Sequence, residues 1–309
     1  MNWLKYHINP QSSELPVDWK KIFKRDAKIR VEIGFGNGEF LAHMAKKFPD
    51  INFIGFELSI TSFVKAQKKF HREGIDNVRL VMVDGRFGIR ELFEDESVEH
   101  VYVNFPCPWS KKGQEKKRIT YGDFAKALAA VLEMGGAFEL MTDDKGYAEE
   151  VFSKFKESGF FDMEPMKVDF KRDVQTRYEK KWISMGRHTF LIRARKIKRA
   201  DVERISWGGE YVHQRIDHFN EERLHLLNGK VFKDKRKVFV VKETYSSKDG
   251  NVHLIKVISS DDGFEQHYNI LVEKRKNFWI VKLDSTCQPY RTPSVKWSVR
   301  KIAQEISLT

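Results

Sequence analysis

The chain has 309 residues, 41% of them hydrophobic and 32% charged, with a formal net charge of +12 and a pI near 9.4. That length suits two domains, and the cationic surplus favours a polyanionic partner over a neutral one, with a merely soluble Lys-rich surface as the plain alternative. The cysteines, Cys107 and Cys287, are too few for a disulfide framework or a cysteine-based zinc site. The opening residues lack the apolar run of a signal peptide, and no stretch of about 18 apolar residues could span a bilayer, so a cytoplasmic protein without a membrane role is expected.

In chain order, residues 29–33 read as a buried strand and 34–38 (GFGNG) as a tight glycine loop. A helix over 39–48 follows, then a strand over 51–57 and a helix capped by Ser59 or Thr61 that runs to about Glu73. Residues 78–84 make a third strand, 89–93 a short helix and 98–105 a fourth strand. A polar, basic loop over 106–118 precedes a helix at 120–133, a strand at 137–143 and a helix at 147–158. Strands near 160–169 and 187–196 end this part. Strict alternation of strand and helix predicts an α/β fold: a mostly parallel sheet with helices on both faces, which binds ligands at the carboxyl ends of its strands.

The pattern then changes, which divides the chain into domains at 1–197 and 198–309. A helix at 217–228 leads into four alternating runs at 237–245, 251–259, 266–274 and 277–284, and 293–306 is a closing helix. Short turns join the runs, so this second domain is expected to be α+β with an antiparallel sheet. Each domain carries half of the net charge.

The segment Glu32-Ile-Gly34-Phe-Gly36-Asn-Gly38 leaves a strand and opens a helix, and its glycines let a ligand approach the backbone. The spacing G-x-G-x-G departs from the G-x-G-x-x-G of dinucleotide sites. Glu57 ends the second strand, suited to ribose hydroxyls, and Asp84-Gly85 ends the third, suited to an adenine amino group. Glu32 is placed for an ammonium group. An acidic set of this kind fits the cation S-adenosylmethionine better than a phosphorylated dinucleotide.

Asn104-Phe-Pro-Cys-Pro-Trp-Ser-Lys-Lys, together with the glycine loop, Thr142-Asp143 and Thr176-Arg-Tyr-Glu-Lys-Lys, resembles the bacterial tRNA (guanine-N7)-methyltransferases over residues 28–196. The resemblance implies a class I, Rossmann-like methyltransferase sheet and, as substrate, the guanine at position 46 in the tRNA variable loop. It also implies that Glu32, Glu57, Asp84 and the 104–107 loop, with Asn104 and Cys107, hold S-adenosylmethionine beside Gly34, Gly36, Gly38 and Gly85. Lys111, Lys112, Gly113, Lys116, Lys117 and Arg118 would touch RNA, and Asp143 with Thr176, Arg177, Tyr178 and Glu179 would hold the target base. The family carries Asp, commonly given the catalytic role, where this chain has Cys107. No resemblance covers 198–309, which could grip tRNA or act as a stabilising cap.

Guanine N7 has a free lone pair and no proton to lose, so the enzyme's main task is alignment for direct in-line attack on the methyl group. Asp143 and Glu179 are the candidates for stabilising the positive charge that develops on the ring; Cys107 is read as a small thiol near the cofactor rather than a nucleophile. Five cations lie within residues 111–118, where RNA phosphate would pass. Trp109 and Tyr178 could stack on a base or belong to the core. The histidines lack metal-site spacing, so no metal is expected. A monomer is expected, because tRNA needs open access. The competing expectations are a methyltransferase acting on another RNA or on a protein, and a catalytically inactive RNA-binding module.

Overall fold

The computed structural model describes residues 2–12, 15–174, 177–205 and 212–308. The chain forms two compact units, Met1–Pro10 with Glu14–Arg204, and Gln11–Ser13 with Ile205–Thr309.

The first unit contains α1 (Trp19–Phe23), β1 (Ile29–Ile33), α2 (Glu39–Lys47), β2 (Asn52–Phe56), α3 (Ile60–Arg72), β3 (Val78–Val81), α4 (Gly85–Leu92) and β4 (Val98–Asn104). It continues with α5 (Phe124–Val131), β5 (Leu132–Thr142), α6 (Lys145–Ser158), β6 (Phe161–Met163), β7 (Lys167–Val168), α7 (Arg177–Ser184) and β8 (Phe190–Lys196). The sheet order is β3-β2-β1-β4-β5-β8-β6, with β7 also on β8. β1 to β5 pair in parallel, whereas β8 runs antiparallel to β5, β6 and β7. The order reverses between β1 and β4, which opens the ligand crevice at their carboxyl ends.

Alternation along the strands puts apolar side chains on both faces. On one face Phe53 and Leu80 pack with Leu41 of α2 and Phe63 and Phe70 of α3. On the other, the Phe138 ring stacks 4.7 Å from Phe155 of α6 and meets Phe124 of α5 edge-on. Each such fully buried ring contributes about 2–3 kcal/mol. Caps set the helix starts: Ser59 accepts from Ser62 N at 3.3 Å, and Asp144 from Tyr147 N at 2.9 Å.

Several element bounds differ from the sequence expectation. α4 begins at Gly85 rather than 89, because Asp84 accepts from the backbone N–H groups of Arg86 and Phe87 and starts the helix there. The helix expected over 120–133 is shorter, and β5 takes up Leu132 onward with both Gly135 and Gly136 inside it. Gly136 is needed for close approach: a Cβ there would lie 3.0 Å from the Glu99 carbonyl oxygen. The single strand expected over 160–169 is two short ones, β6 and β7.

The second unit contains β9 (His213–Ile216), α8 (Glu221–His225), β10 (Val231–Asp234), β11 (Lys237–Ser246), β12 (Val252–Asp261), β13 (Phe264–Lys274), β14 (Trp279–Leu283) and α9 (Pro293–Ser307). All neighbours in the order β10-β11-β12-β13-β14-β9 are antiparallel. The four expected runs form β11 to β14, with β9 and β10 added at the edges. The helix expected over 217–228 is only the five residues of α8, started by Asn220 accepting from Arg223 N. Val295, Val299, Ile302 and Ile306 of α9 lie on the same core as Phe239, Ile255 and Ile270. Tyr268 is core, its hydroxyl 2.7 Å from Ser298 Oγ, whereas Trp279 is half-buried against Phe219 and Phe278 lies under the Arg215 guanidinium.

Candidate active site

The crevice begins at the loop after β1. Gly34, Gly36 and Gly38 all take positive φ, at 73°, 53° and 73°. Their roles differ. A Cβ at Gly34 or Gly36 would meet no atom of the described residues within 4 Å, so these two leave room for a ligand, whereas one at Gly38 would lie 2.8 Å from the Phe70 ring. Gly38 therefore serves helix packing. So does Gly85, where a Cβ would come within 2.2 Å of Ile33.

Glu32 is buried beside this loop. Its Oε1 accepts from Asn104 Nδ2 at 2.8 Å, and its Oε2 is buried with no hydrogen-bond partner among the described residues. Burial pushes its carboxyl up from 4.5 to about 7, against the pull of Asn104 and the Arg172 charge, and the charge of Glu57 adds to the rise. A cationic ligand group beside this buried carboxyl would offset the burial and favour its charged form.

Glu57 is oriented by the backbone. Oε1 accepts from Leu58 N and Ser59 N at 2.8 and 2.9 Å, and Oε2 from Gly36 N at 2.9 Å. A carboxylate offers about four acceptor positions, so one remains for a hydroxyl. Asp84 is more heavily engaged, taking the Arg86 side chain as well as the first turn of α4.

The loop after β4 carries Cys107, which is exposed. Phe105 and Trp109 adopt positive φ, 49° and 44°, a strained backbone that other contacts must hold. Arg118 supplies them: Nε donates to the Pro108 carbonyl at 2.7 Å, and Nη1 pairs with Glu150 of α6. Ser110 Oγ donates to Asp144 at 3.1 Å. Arg118 is thus turned onto its own loop, whereas Lys111, Lys112, Gly113 and Lys116 are exposed. Trp109 is half-buried, with the Lys117 ammonium 4.7 Å from its ring centroid.

Asp143 follows β5 and is largely buried, its Oδ2 accepting from Arg187 Nη1 at 2.8 Å. Arg187 also lies 4.4 Å from the Trp182 ring of α7. Glu179, in the first turn of α7, is buried and accepts from Arg172 Nη2 at 2.9 Å. Thr176 lies outside the described residues; Arg177 and Tyr178 begin α7, and only their backbone is described. The structure therefore gathers Glu32, Asn104 and Glu179 into one hydrogen-bonded set through Arg172, a residue that sequence reasoning missed. A single Arg in a polar run has no periodicity to mark it, and the same holds for Arg187.

Among the described residues no group of three or more His, Cys, Asp or Glu could hold a metal ion, and no helix is long and apolar enough to cross a membrane.

An open glycine loop, a vacant buried carboxylate and a carboxylate at the end of the neighbouring sheet strands define a methyltransferase of the Rossmann-like class. The chain matches a family described as "Putative methyltransferase" over residues 26–192. It is 53% identical over 307 residues to the tRNA (guanine-N(7)-)-methyltransferase of Thermotoga maritima, covering 98% of this chain and 97% of that one. The enzyme of the same name from Aquifex aeolicus is 29% identical and covers 94% of this chain and 99% of its own. That from Bacillus subtilis is 34% identical over 60% of this chain and 84% of its own. The chain belongs to the tRNA (guanine-N7)-methyltransferase family.

Proposed function

We propose that this protein transfers a methyl group from S-adenosylmethionine to N7 of guanine 46 in the tRNA variable loop by direct in-line attack. One arrangement carries this reading: Glu32 on β1 and Asp143 after β5 stand at the carboxyl ends of strands that both flank β4. Strands lie about 4.8 Å apart, so the backbones of β1 and β5 are roughly 10 Å apart, and the loop from Asn104 to Trp109 leaves the strand between them. The donor cradle and the base-facing acid are thus set on either side of one loop.

The residues present fit S-adenosylmethionine. Glu32 Oε2 supplies the missing partner for an ammonium group, Glu57 and Asp84 face ribose and adenine, and Gly34 and Gly36 leave the backbone open. Gly38 and Gly85 shape the cradle through packing, and Asn104 and Cys107 border it. When bound, this cofactor supplies an electrophilic methyl group on a sulfonium centre.

Guanine N7 needs no deprotonation, so the chain's residues serve to orient and to balance charge. Asp143 faces the ring as it becomes positive. Thr176, Arg177, Tyr178 and Glu179 are assigned to binding of the target base. No base is required at position 107, so an exposed Cys107 is compatible with turnover. Lys111, Lys112, Gly113, Lys116 and Lys117 steer the phosphates of tRNA, and Arg118 holds their loop in shape.

The protein works as a cytoplasmic monomer with a catalytic domain, residues 1–197, and a C-terminal domain, residues 198–309, that grips tRNA or acts as a stabilising cap. A truncation separates the two roles: lost tRNA affinity marks the grip, and a lowered melting temperature alone marks the cap. It should end after Arg204, whose guanidinium bonds the Arg90 and Phe93 carbonyl oxygens within the first unit.

Chemical mapping tests the target atom. Borohydride reduces the ring of an N7-methylated guanine, the base is then lost, and aniline cuts the strand at the abasic site. Cleavage at position 46 of treated tRNA supports the reading, and methylated tRNA that resists cleavage there overturns it.

A further inference from the structure

Arg172 lies between β7 and α7, with a side chain only 9% exposed. Its Nη1 donates to Asn104 Oδ1 at 2.7 Å, and its Nη2 to Glu179 Oε2 at 2.9 Å. The guanidinium also sits 5.2 Å from the ring of Phe40, which opens α2 just beyond the glycine loop. Asn104 in turn donates to Glu32. One unbroken chain, Glu32–Asn104–Arg172–Glu179, therefore runs from β1 through β4 to α7.

Each link is specific. Asn104 has a carboxylate on its amide nitrogen and a guanidinium on its oxygen, so one orientation of the amide satisfies both neighbours. Arg172 meets two acceptors with two nitrogens of a rigid planar fork, which a lysine ammonium cannot reproduce. The pair with Glu179 is buried on both sides, where little solvent screens it. A bridge serving stability alone has no reason to end at ligand-facing groups. This one ends at Glu32, whose Oε2 lacks a partner among the described residues, and at the first turn of α7.

We propose that Arg172 is a positioning residue, which makes the order of α7 depend on occupancy of the methyl-donor site. This rests on the functional reading above. A ligand ammonium at Glu32 fixes Asn104, Asn104 fixes Arg172, and Arg172 holds the first turn of α7 in the place where the base is to be clamped.

The test uses the intact chain with S-adenosylhomocysteine as donor-site probe, in wild type, Arg172→Met, Arg172→Lys and Glu179→Gln. Amide hydrogen exchange over residues 177–184 is measured with and without the probe, beside kcat and KM for methyl transfer to a tRNA transcript. In wild type the probe is expected to slow exchange in α7 by about fivefold or more, a typical coupling. In Arg172→Met the probe still binds but α7 exchange no longer responds, and kcat falls at least about tenfold with a smaller change in donor KM. Arg172→Lys recovers only part of the response. If Arg172→Met does not fold, Glu179→Gln, which keeps volume and an acceptor oxygen, must show the same loss. An α7 response in Arg172→Met or Glu179→Gln equal to that of wild type overturns the proposal. Wild-type α7 that responds to the probe while tRNA is not methylated would count against the substrate reading and not against the Arg172 link.

Discussion

Replacing Glu32 by Gln removes a carboxylate that the fold holds at a cost in the absence of ligand. Burial lifts Glu32 from 4.5 to about 7, and each pKa unit is worth 1.36 kcal/mol, so ionising it in the folded state costs roughly 3 kcal/mol. The folded-state value is the raised one. The contribution to stability is therefore fully present below pH 4.5 and is lost as pH rises through 7. The glutamine amide does not titrate. It keeps the acceptor for Asn104 Nδ2 but places an NH2 where Oε2 has no partner, a pH-independent penalty of about 1–3 kcal/mol. The clean readout is the difference between the two chains across pH. Urea unfolding without donor at pH 5 and pH 8.5 should show the variant gaining about 2–3 kcal/mol on wild type between the two. Donor affinity should behave in the opposite sense: wild type binds more tightly as pH rises through 7, and the variant binds weakly at both values. Stability curves that run parallel from pH 5 to 8.5 would refute the assignment of a buried, ligand-seeking carboxylate.

Gly38→Ala should lower stability by about 1–3 kcal/mol through overpacking against Phe70, whereas Gly34→Ala should cost only about 1 kcal/mol of backbone strain but weaken donor binding; equal effects on melting and on donor affinity would contradict the separate roles. Cys107→Ser should hold kcat within about threefold, since loss of a true nucleophile would cost orders of magnitude more, and rapid alkylation of the native chain would verify that the thiol is exposed. Replacing Lys111, Lys112 and Lys116 by Ala should weaken tRNA binding and flatten its salt dependence by a slope of about 0.7–0.9 per lost phosphate contact; an unchanged slope would remove these residues from the RNA path.

The sheet was legible in the sequence because its signals are local. Short apolar runs, the glycine loop and the cap at Ser59 each act within a few residues, so the order of strands and helices follows from them. Element ends were less legible. Gly135 and Gly136 look like a helix stop, yet they lie inside β5, where the Glu133 and Glu99 carbonyl oxygens crowd Gly136 and Gly135 takes a positive φ. In the site, carboxylates at strand ends could be found from spacing. The distinction between Gly34, which is open, and Gly38, which is packed, could not, because it depends on where Phe70 of α3 falls. Arg172 and Arg187 were invisible for the same reason: their partners lie 68 and 44 residues away in sequence.

The most direct test of the account is transfer of labelled methyl from S-adenosylmethionine to an unmodified tRNA transcript, beside the same transcript with guanine 46 changed to adenine. The account predicts label on the first and none on the second, with Cys107 in place. Equal label on both would contradict the assigned target, and no label on either, with tRNA still bound, would contradict the enzymatic reading for this substrate.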